Sequence, residues 1–223
     1  MNKKKNILVV CSHPDDEVLG CGASLNKFKK NYNIYCLYLT NGGTNRPLVA
    51  VKKNINTIKK VKKIIGIKKT YRAEFPDNEM DKVSLLSVVK LIENIIKKTK
   101  PEIIFTHSNK DLNIDHQICN KAVLTASRPT QLNNSIKKIY CFEILSSTEW
   151  NFKSKRFSPE VFIKISKTNL NSKINAMKQY AEELKKHPHP RSLSNILNLA
   201  KIRGSNVGFI YAEAFEIAYE KIH

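Results

Sequence analysis

Short apolar runs alternate with longer amphipathic stretches along most of this chain. Runs at 6–11, 34–39, 67–73, 102–106 and 138–143 are dominated by Ile, Val, Leu and aromatic residues and are each a strand's length. Between them, 17–30, 50–65, 82–99 and 114–127 place apolar residues at helical spacing. This alternation predicts successive βαβ units. The expected fold is α/β, a Rossmann-like, mostly parallel sheet with right-handed crossovers and helices on its faces. The last third is less regular: 160–165 predicts a strand, and helices are expected near 169–186 and 193–203, covering the sheet and walling a pocket. Within the first of these, Lys173, Met177, Tyr180 and Leu184 recur at near-helical spacing and read as packing rather than chemistry.

A chain of 223 residues with 41% hydrophobic content can bury one substantial core, and no second core is visible, so a single domain over 1–223 is expected. Cys11, Cys21, Cys36, Cys119 and Cys141 are scattered singly with no C-x-x-C pair and read as reduced core residues, which favours a reducing, cytoplasmic setting. The basic start at Lys3, Lys4 and Lys5 precedes an apolar stretch of only strand length without a small-residue cleavage site, which is unlike a signal peptide. No run approaches the roughly 20 apolar residues of a spanning helix.

Charge changes the picture less than its size suggests. With 39 basic against 19 acidic residues the formal charge is +20, in the range of nucleic-acid binders. The basic residues are nonetheless spread along predicted helices, with few aromatics interleaved. They read first as solvated surface in a Lys-, Asn- and Ile-rich chain. Attraction to an anionic nucleotide-linked or lipid-linked substrate, with peripheral membrane contact, comes second, and nucleic acid third, so no nucleic-acid partner is expected.

The candidate chemistry sits where strands end. His13-Pro14-Asp15-Asp16-Glu17 follows the first apolar run, and Thr106 to His116 follows the fourth. Helix capping accounts for Asp15, Asp16 and Glu17 as readily as a site does, but it does not account for His13, which gains nothing from the positive end of a helix dipole. Two polar clusters at the carboxyl edge of one parallel sheet converge in space, so His13, Asp16 and His116 become three ligands for one ion. Two imidazoles and a carboxylate suit catalytic Zn²⁺ with a position left for water, and other divalent ions accept the same donors. A thiol hydrolase built on Cys11 and His13, which share a strand face, is the weakest alternative, because it leaves Asp16 and His116 unexplained.

Here the sequence resembles the PIG-L or LmbE-like family of zinc-dependent de-N-acetylases. The resemblance runs through His13–Glu17, Thr40-Asn41-Gly42-Gly43, Phe75-Pro76-Asp77-Asn78 and Asp115-His116, and continues into Pro188-His189-Pro190-Arg191-Ser192, Arg203-Gly204 and Ala212–Phe215, where it is similar to members that trim surface glycans. It implies an LmbE-like fold, Zn²⁺ held by His13, Asp16 and His116, and Asp15 as general base. The implied reaction removes acetyl from an N-acetylated amino sugar, giving acetate and a free amine, with a bacterial surface polysaccharide or lipopolysaccharide pathway as the setting. The sugar is a small molecule, free or carried on a nucleotide or lipid. A deacetylase of a glucosaminyl conjugate in low-molecular-weight thiol synthesis is the alternative within the family, and a basic nucleic-acid-binding protein with a structural metal site is the alternative outside it.

Two departures matter. Relatives resemble His-x-Asp-His at the second cluster, whereas here Asn113 stands at the earlier histidine. An amide can donate to an oxyanion but carries no charge. Asn113, His107, His189 and an arginine are therefore all candidates for that duty, and Asp115 for orienting its neighbours. Gly43 replaces a glutamate common in relatives, in a loop that Arg46 follows closely. Arg46, Asp77 and Arg191 are the expected substrate contacts, and His189 a proton-transfer or oxyanion partner. Arg203 is a weaker candidate. The physiological metal, the carrier and the oligomeric state stay open at this level.

Overall fold

The computed structural model describes residues 4–40, 48–129, 135–153 and 156–222, with side chains from 54 onward in the second of these spans. Asn41, Gly42, Gly43 and Arg46 lie outside the described residues.

The chain begins with β1 (Lys5–Cys11), α1 (Asp16–Phe28), β2 (Tyr32–Thr40), α2 (Leu48–Ile65) and β3 (Lys69–Phe75). A 3-10 turn at Met80–Lys82 leads to α3 (Leu85–Thr99), β4 (Ile103–His107), α4 (Ile114–Ala126) and β5 (Lys138–Phe142). Then come β6 (Val161–Lys164), α5 (Lys167–Met177), α6 (Leu193–Ser205) and β7 (Ala212–Glu220). The seven strands form one sheet in the order β3-β2-β1-β4-β5-β7-β6. The first five are parallel, and β7 runs antiparallel to both β5 and β6. The expected α/β, mostly parallel architecture is the one observed.

Alternation along β1 divides the core. Ile7, Val9 and Cys11 face a cluster with α1, α2 and α5, while Leu8 and Val10 face a second with α3 and α4. Both faces of the central strand are covered, which is why it reads as an uninterrupted apolar run. Gly20 lets α1 lie close on the sheet, since a Cβ there would fall 2.3 Å from the Phe142 ring.

Two expectations need correction. The helix foreseen to 186 ends at Met177 and gives way to turns, because Tyr180 leaves the helical path to bond Glu17 at 2.8 Å. β7 was not foreseen as a strand: it alternates Ala and Glu with few β-branched residues, and its place in the sheet comes from pairing on both sides rather than from propensity.

Candidate active site

Between β1 and β4 the strand order reverses. One crossover leaves toward β2 and the next toward β5, and loops at the carboxyl ends of these two strands part to leave a crevice. His13 to Asp16 and Asp111 to His116 occupy that crevice from its two sides.

The β1–α1 junction is held by its own carboxylates. Asp15 is the residue before α1, with φ 123°, and its side chain makes no capping bond. Asp16 Oδ2 instead accepts from the His13 N–H at 2.8 Å, and Glu17 Oε2 accepts from the Asp15 N–H at 3.0 Å. Glu17 is fully buried, and its other oxygen accepts from the Tyr180 hydroxyl. Burial pushes its carboxyl up to about 7, with the Tyr180 and Asp15 bonds opposing. Capping therefore does not explain these acids; they fix a turn with a left-handed residue at its centre.

Three donor atoms converge. His13 Nδ1 lies 3.2 Å from His116 Nε2 and 3.4 Å from Asp16 Oδ2, and His116 Nε2 lies 3.5 Å from the same oxygen. Tetrahedral bonds of roughly 2.0–2.1 Å place donors about 3.3–3.4 Å apart, so the triangle matches a zinc-sized ion without rearrangement. Two imidazole nitrogens this close share either a hydrogen or a metal ion. The electrostatics agree: burial opposes charge on His116, yet Asp16 and Asp111 outweigh it and push the imidazole up to about 9. Burial likewise opposes charge on Asp16, but His116 and His107 hold it well below the ordinary carboxylate range.

The far side of each imidazole is tethered. His13 Nε2 faces Asp115 Oδ2 at 3.0 Å and Asp77 Oδ1 at 3.2 Å, which leaves Nδ1 turned toward Asp16 and His116. Asp115 also accepts from the N–H groups of Asn78 and Met80 at 2.8 and 3.0 Å, and with His13 and Asp77 it forms a second set of donors close enough for a metal ion. His116 Nδ1 lies 3.1 Å from Asp111 Oδ1, and Asp111 Oδ2 accepts from Ser147 and Thr148. Asp111 carried no assignment from sequence, although a carboxylate near a ligand histidine in the same loop is the kind of partner such a site requires.

Asp15 projects into the cleft beside this triangle. Burial and the charge of Asp16 push its carboxyl up, and the guanidinium of Arg191, 3.2 Å from Oδ2, works against them. Arg191 is itself fixed, donating from Nε to Ser146 Oγ at 2.7 Å and to the Leu145 carbonyl at 3.3 Å, with Glu183 at 3.6 Å. Asn113 caps α4 through its side-chain oxygen, which accepts from the Asp115 N–H at 2.8 Å. Its amide nitrogen must then face outward, where it donates to Asn78 Oδ1 at 3.3 Å and keeps a second hydrogen for the cleft.

The cleft is lined by His13, Asp15, Asp77, Asn113 and Arg191 together with groups to which the sequence gave no site role. Those are chiefly Asn54, Asn78, Gln179, Tyr180, Glu182 and Glu183. Tyr180, read from sequence as packing alone, is buried and also joins this wall.

Four candidates are placed elsewhere or differently. His189 is exposed and outside the lining; its Nδ1 accepts from the Arg191 N–H at 3.1 Å, so the two prolines of this loop stiffen the backbone behind the arginine rather than aim the imidazole. His107 is fully buried under His116, stacked at 3.9 Å, and its Nε2 accepts from the Ser12 N–H. Burial and neighbouring His116 bring it down to about 4, so it is neutral and cannot reach a reacting carbonyl. Arg203 binds Glu143 in a two-pronged pair at 2.7 and 2.6 Å. Cys11 is fully buried, and burial raises its thiol well above the ordinary range, which opposes a thiolate nucleophile.

Residues 8–127 match the family model described as PIG-L, GlcNAc-PI de-N-acetylase. The uncharacterized deacetylase YaiS of Escherichia coli strain K12 is 30% identical over 187 residues, spanning 80% of this chain and 92% of that protein. Among solved structures, N,N'-diacetylchitobiose deacetylase of Pyrococcus horikoshii superposes with a TM-score of 0.76 at 17% identity, over 96% of this chain and 84% of that one. The 4-carboxy-2-hydroxymuconate hydratase GalB of Pseudomonas putida KT2440 also gives 0.76, at 18% identity and 98% coverage of each chain. At these identities the two structures establish the fold alone, and their different reactions show that the fold does not by itself fix the chemistry.

Proposed function

The chain belongs to the PIG-L family of GlcNAc-PI de-N-acetylases, and from that membership and the geometry of the cleft we propose that it is a Zn²⁺-dependent hydrolase removing acetyl from an N-acetylated amino sugar. The observation that carries the metal-dependent reading is the triangle of His13 Nδ1, Asp16 Oδ2 and His116 Nε2 at 3.2–3.5 Å, with each imidazole backed by a carboxylate. His13, Asp16 and His116 would hold the ion, which when bound lowers the pKa of water and polarises a carbonyl.

The remaining duties fall to this chain's own groups. Asp15, raised by burial, takes the proton of the attacking water and returns it to the departing amine nitrogen. Arg191 keeps that carboxylate oriented through a fixed guanidinium. The free Asn113 amide hydrogen is the donor nearest to hand for the developing oxyanion, without the charge an imidazolium would bring. Asn54, Asn78, Gln179 and Glu182 offer hydrogen bonds suited to sugar hydroxyls.

Carboxylates outnumber arginines along the described lining, Asp15, Asp77, Glu182 and Glu183 against Arg191. That balance favours a neutral sugar in the cleft, admits its amine product, and disfavours a nucleic-acid strand despite the +20 charge. A cytoplasmic role in surface-polysaccharide assembly is the setting we favour. No described helix is long and apolar enough to cross a membrane.

The test is acetate release from a panel of free, nucleotide-linked and lipid-linked N-acetylated sugars, comparing the protein at known metal content with Asp15→Asn. The expected result is one zinc in both and a loss of about 10²–10⁴-fold in rate for the variant, the usual worth of a general base. A metal-loaded protein that releases acetate from no panel member contradicts the reading.

A further inference from the structure

Beside the cleft mouth lies a face that the reaction does not use. Leu112 and Ile114, 54% and 42% exposed, flank the cleft-lining Asn113. Trp150 and Phe152, 54% and 68% exposed, stand on the neighbouring loop with their rings edge to face at 5.4 Å. The two segments are bonded to each other: the Leu112 N–H donates to the Ser147 carbonyl at 3.3 Å, and the Asn151 amide donates to the Lys110 carbonyl at 3.0 Å. Ser147 and Thr148 are anchored on Asp111, the same carboxylate that backs His116. The aromatic loop is therefore a fixed extension of the site's wall.

Four large apolar side chains left in water on one rim of a polar cleft call for a partner. Its chemistry follows from what surrounds them. Lys153 directly after Phe152 and Arg156 three positions further are exposed, against one exposed acid, Glu149, before Trp150, and the chain as a whole carries +20. Aromatic residues beside basic ones suit the boundary between lipid headgroups and acyl chains, with the positive charge drawn to an anionic leaflet.

We propose that Leu112, Ile114, Trp150 and Phe152 form a docking face for an anionic lipid bilayer, setting the cleft mouth against the membrane surface. The docking does not rest on the de-N-acetylase reading.

Trp150 is the chain's single tryptophan, so its fluorescence reports this face alone. The metal-loaded protein is mixed with vesicles of phosphatidylcholine, with or without phosphatidylglycerol, and followed by Trp emission and co-sedimentation. Expected are a blue shift and sedimentation with the anionic vesicles only, both reduced by salt. Phe152→Ser and the double variant Trp150→Ser/Phe152→Ser should lose sedimentation by at least tenfold while keeping metal content and acetate release from a soluble N-acetylated sugar. Vesicle binding without a Trp150 shift assigns attachment to basic surface elsewhere and overturns the proposal, as does binding that the double variant retains. A dimer in solution that the same substitutions dissolve would give the face to a second copy instead. If the face docks but acetate is released from no substrate, the reaction fails and the docking stands.

Discussion

The two walls of the cleft are built in opposite ways. One is the rigid carboxyl edge of β1 and β4, where His13, Asp16 and His116 are held by backbone bonds and backing carboxylates. The other is the irregular chain after α5, where Gln179, Tyr180, Glu182, Glu183 and Arg191 sit on turns. The first brings three donor atoms to 3.2–3.5 Å of one another, the spacing a metal ion would need. The second presents hydrogen-bonding groups that can differ without disturbing the ligands. The proposed reaction thus assigns chemistry to the first and selectivity to the second.

If that division holds, substitutions in the rigid wall act on metal and rate, and those in the irregular wall on substrate affinity, apart from Arg191 and Tyr180, which reach across to Asp15 and Glu17. The largest effect is expected from His116→Ala, which removes a donor: zinc affinity should fall by more than the roughly 100-fold upper range for outer partners, with rate lost in parallel. Equal metal content in the variant would break the comparison at its base. Asp115→Asn, which weakens the hold on His13 Nε2, should lower metal affinity about 10–100-fold in a competition titration while leaving the fold intact.

In the other wall, Gln179→Ala should raise KM about 2- to 10-fold, the worth of one hydrogen bond of roughly 0.5–1.5 kcal/mol, at unchanged metal content and nearly unchanged kcat. A fall in metal content there would mean that the walls are coupled. The smallest effect belongs to the thiols. All five cysteines are buried, and burial pushes Cys119 and Cys141 up to about 12. Because alkylation follows the thiolate and a raised pKa depletes it at neutral pH, iodoacetamide should label none of the five in the native protein and leave activity unchanged.

The same contrast explains what could be read from sequence. Strands buried on both faces announce themselves as apolar runs, so β1 to β5 and their crossover helices were legible, and with them the sheet edge where His13, Asp16 and His116 meet. β7 was not, because its buried acids Glu213 and Glu216 are matched by Lys173, Ser108 and Lys110 from distant parts of the chain. Tyr180 showed its apolar spacing but not the hydroxyl's bond to Glu17, a contact across 163 residues. At Pro188–Arg191 the rigidity was visible but not its direction, so His189 and Arg191 were both expected at the cleft, and of the two only the arginine lines it. Arg46 lies outside the described residues.

X-ray absorption of the zinc-loaded protein can show whether two imidazoles and a carboxylate of this chain hold a catalytic metal. Expected are nitrogen and oxygen neighbours at roughly 2.0–2.1 Å with two imidazole signatures, reduced to one in His116→Ala. Sulfur scattering at roughly 2.3 Å, or a shell unchanged by that substitution, would contradict it.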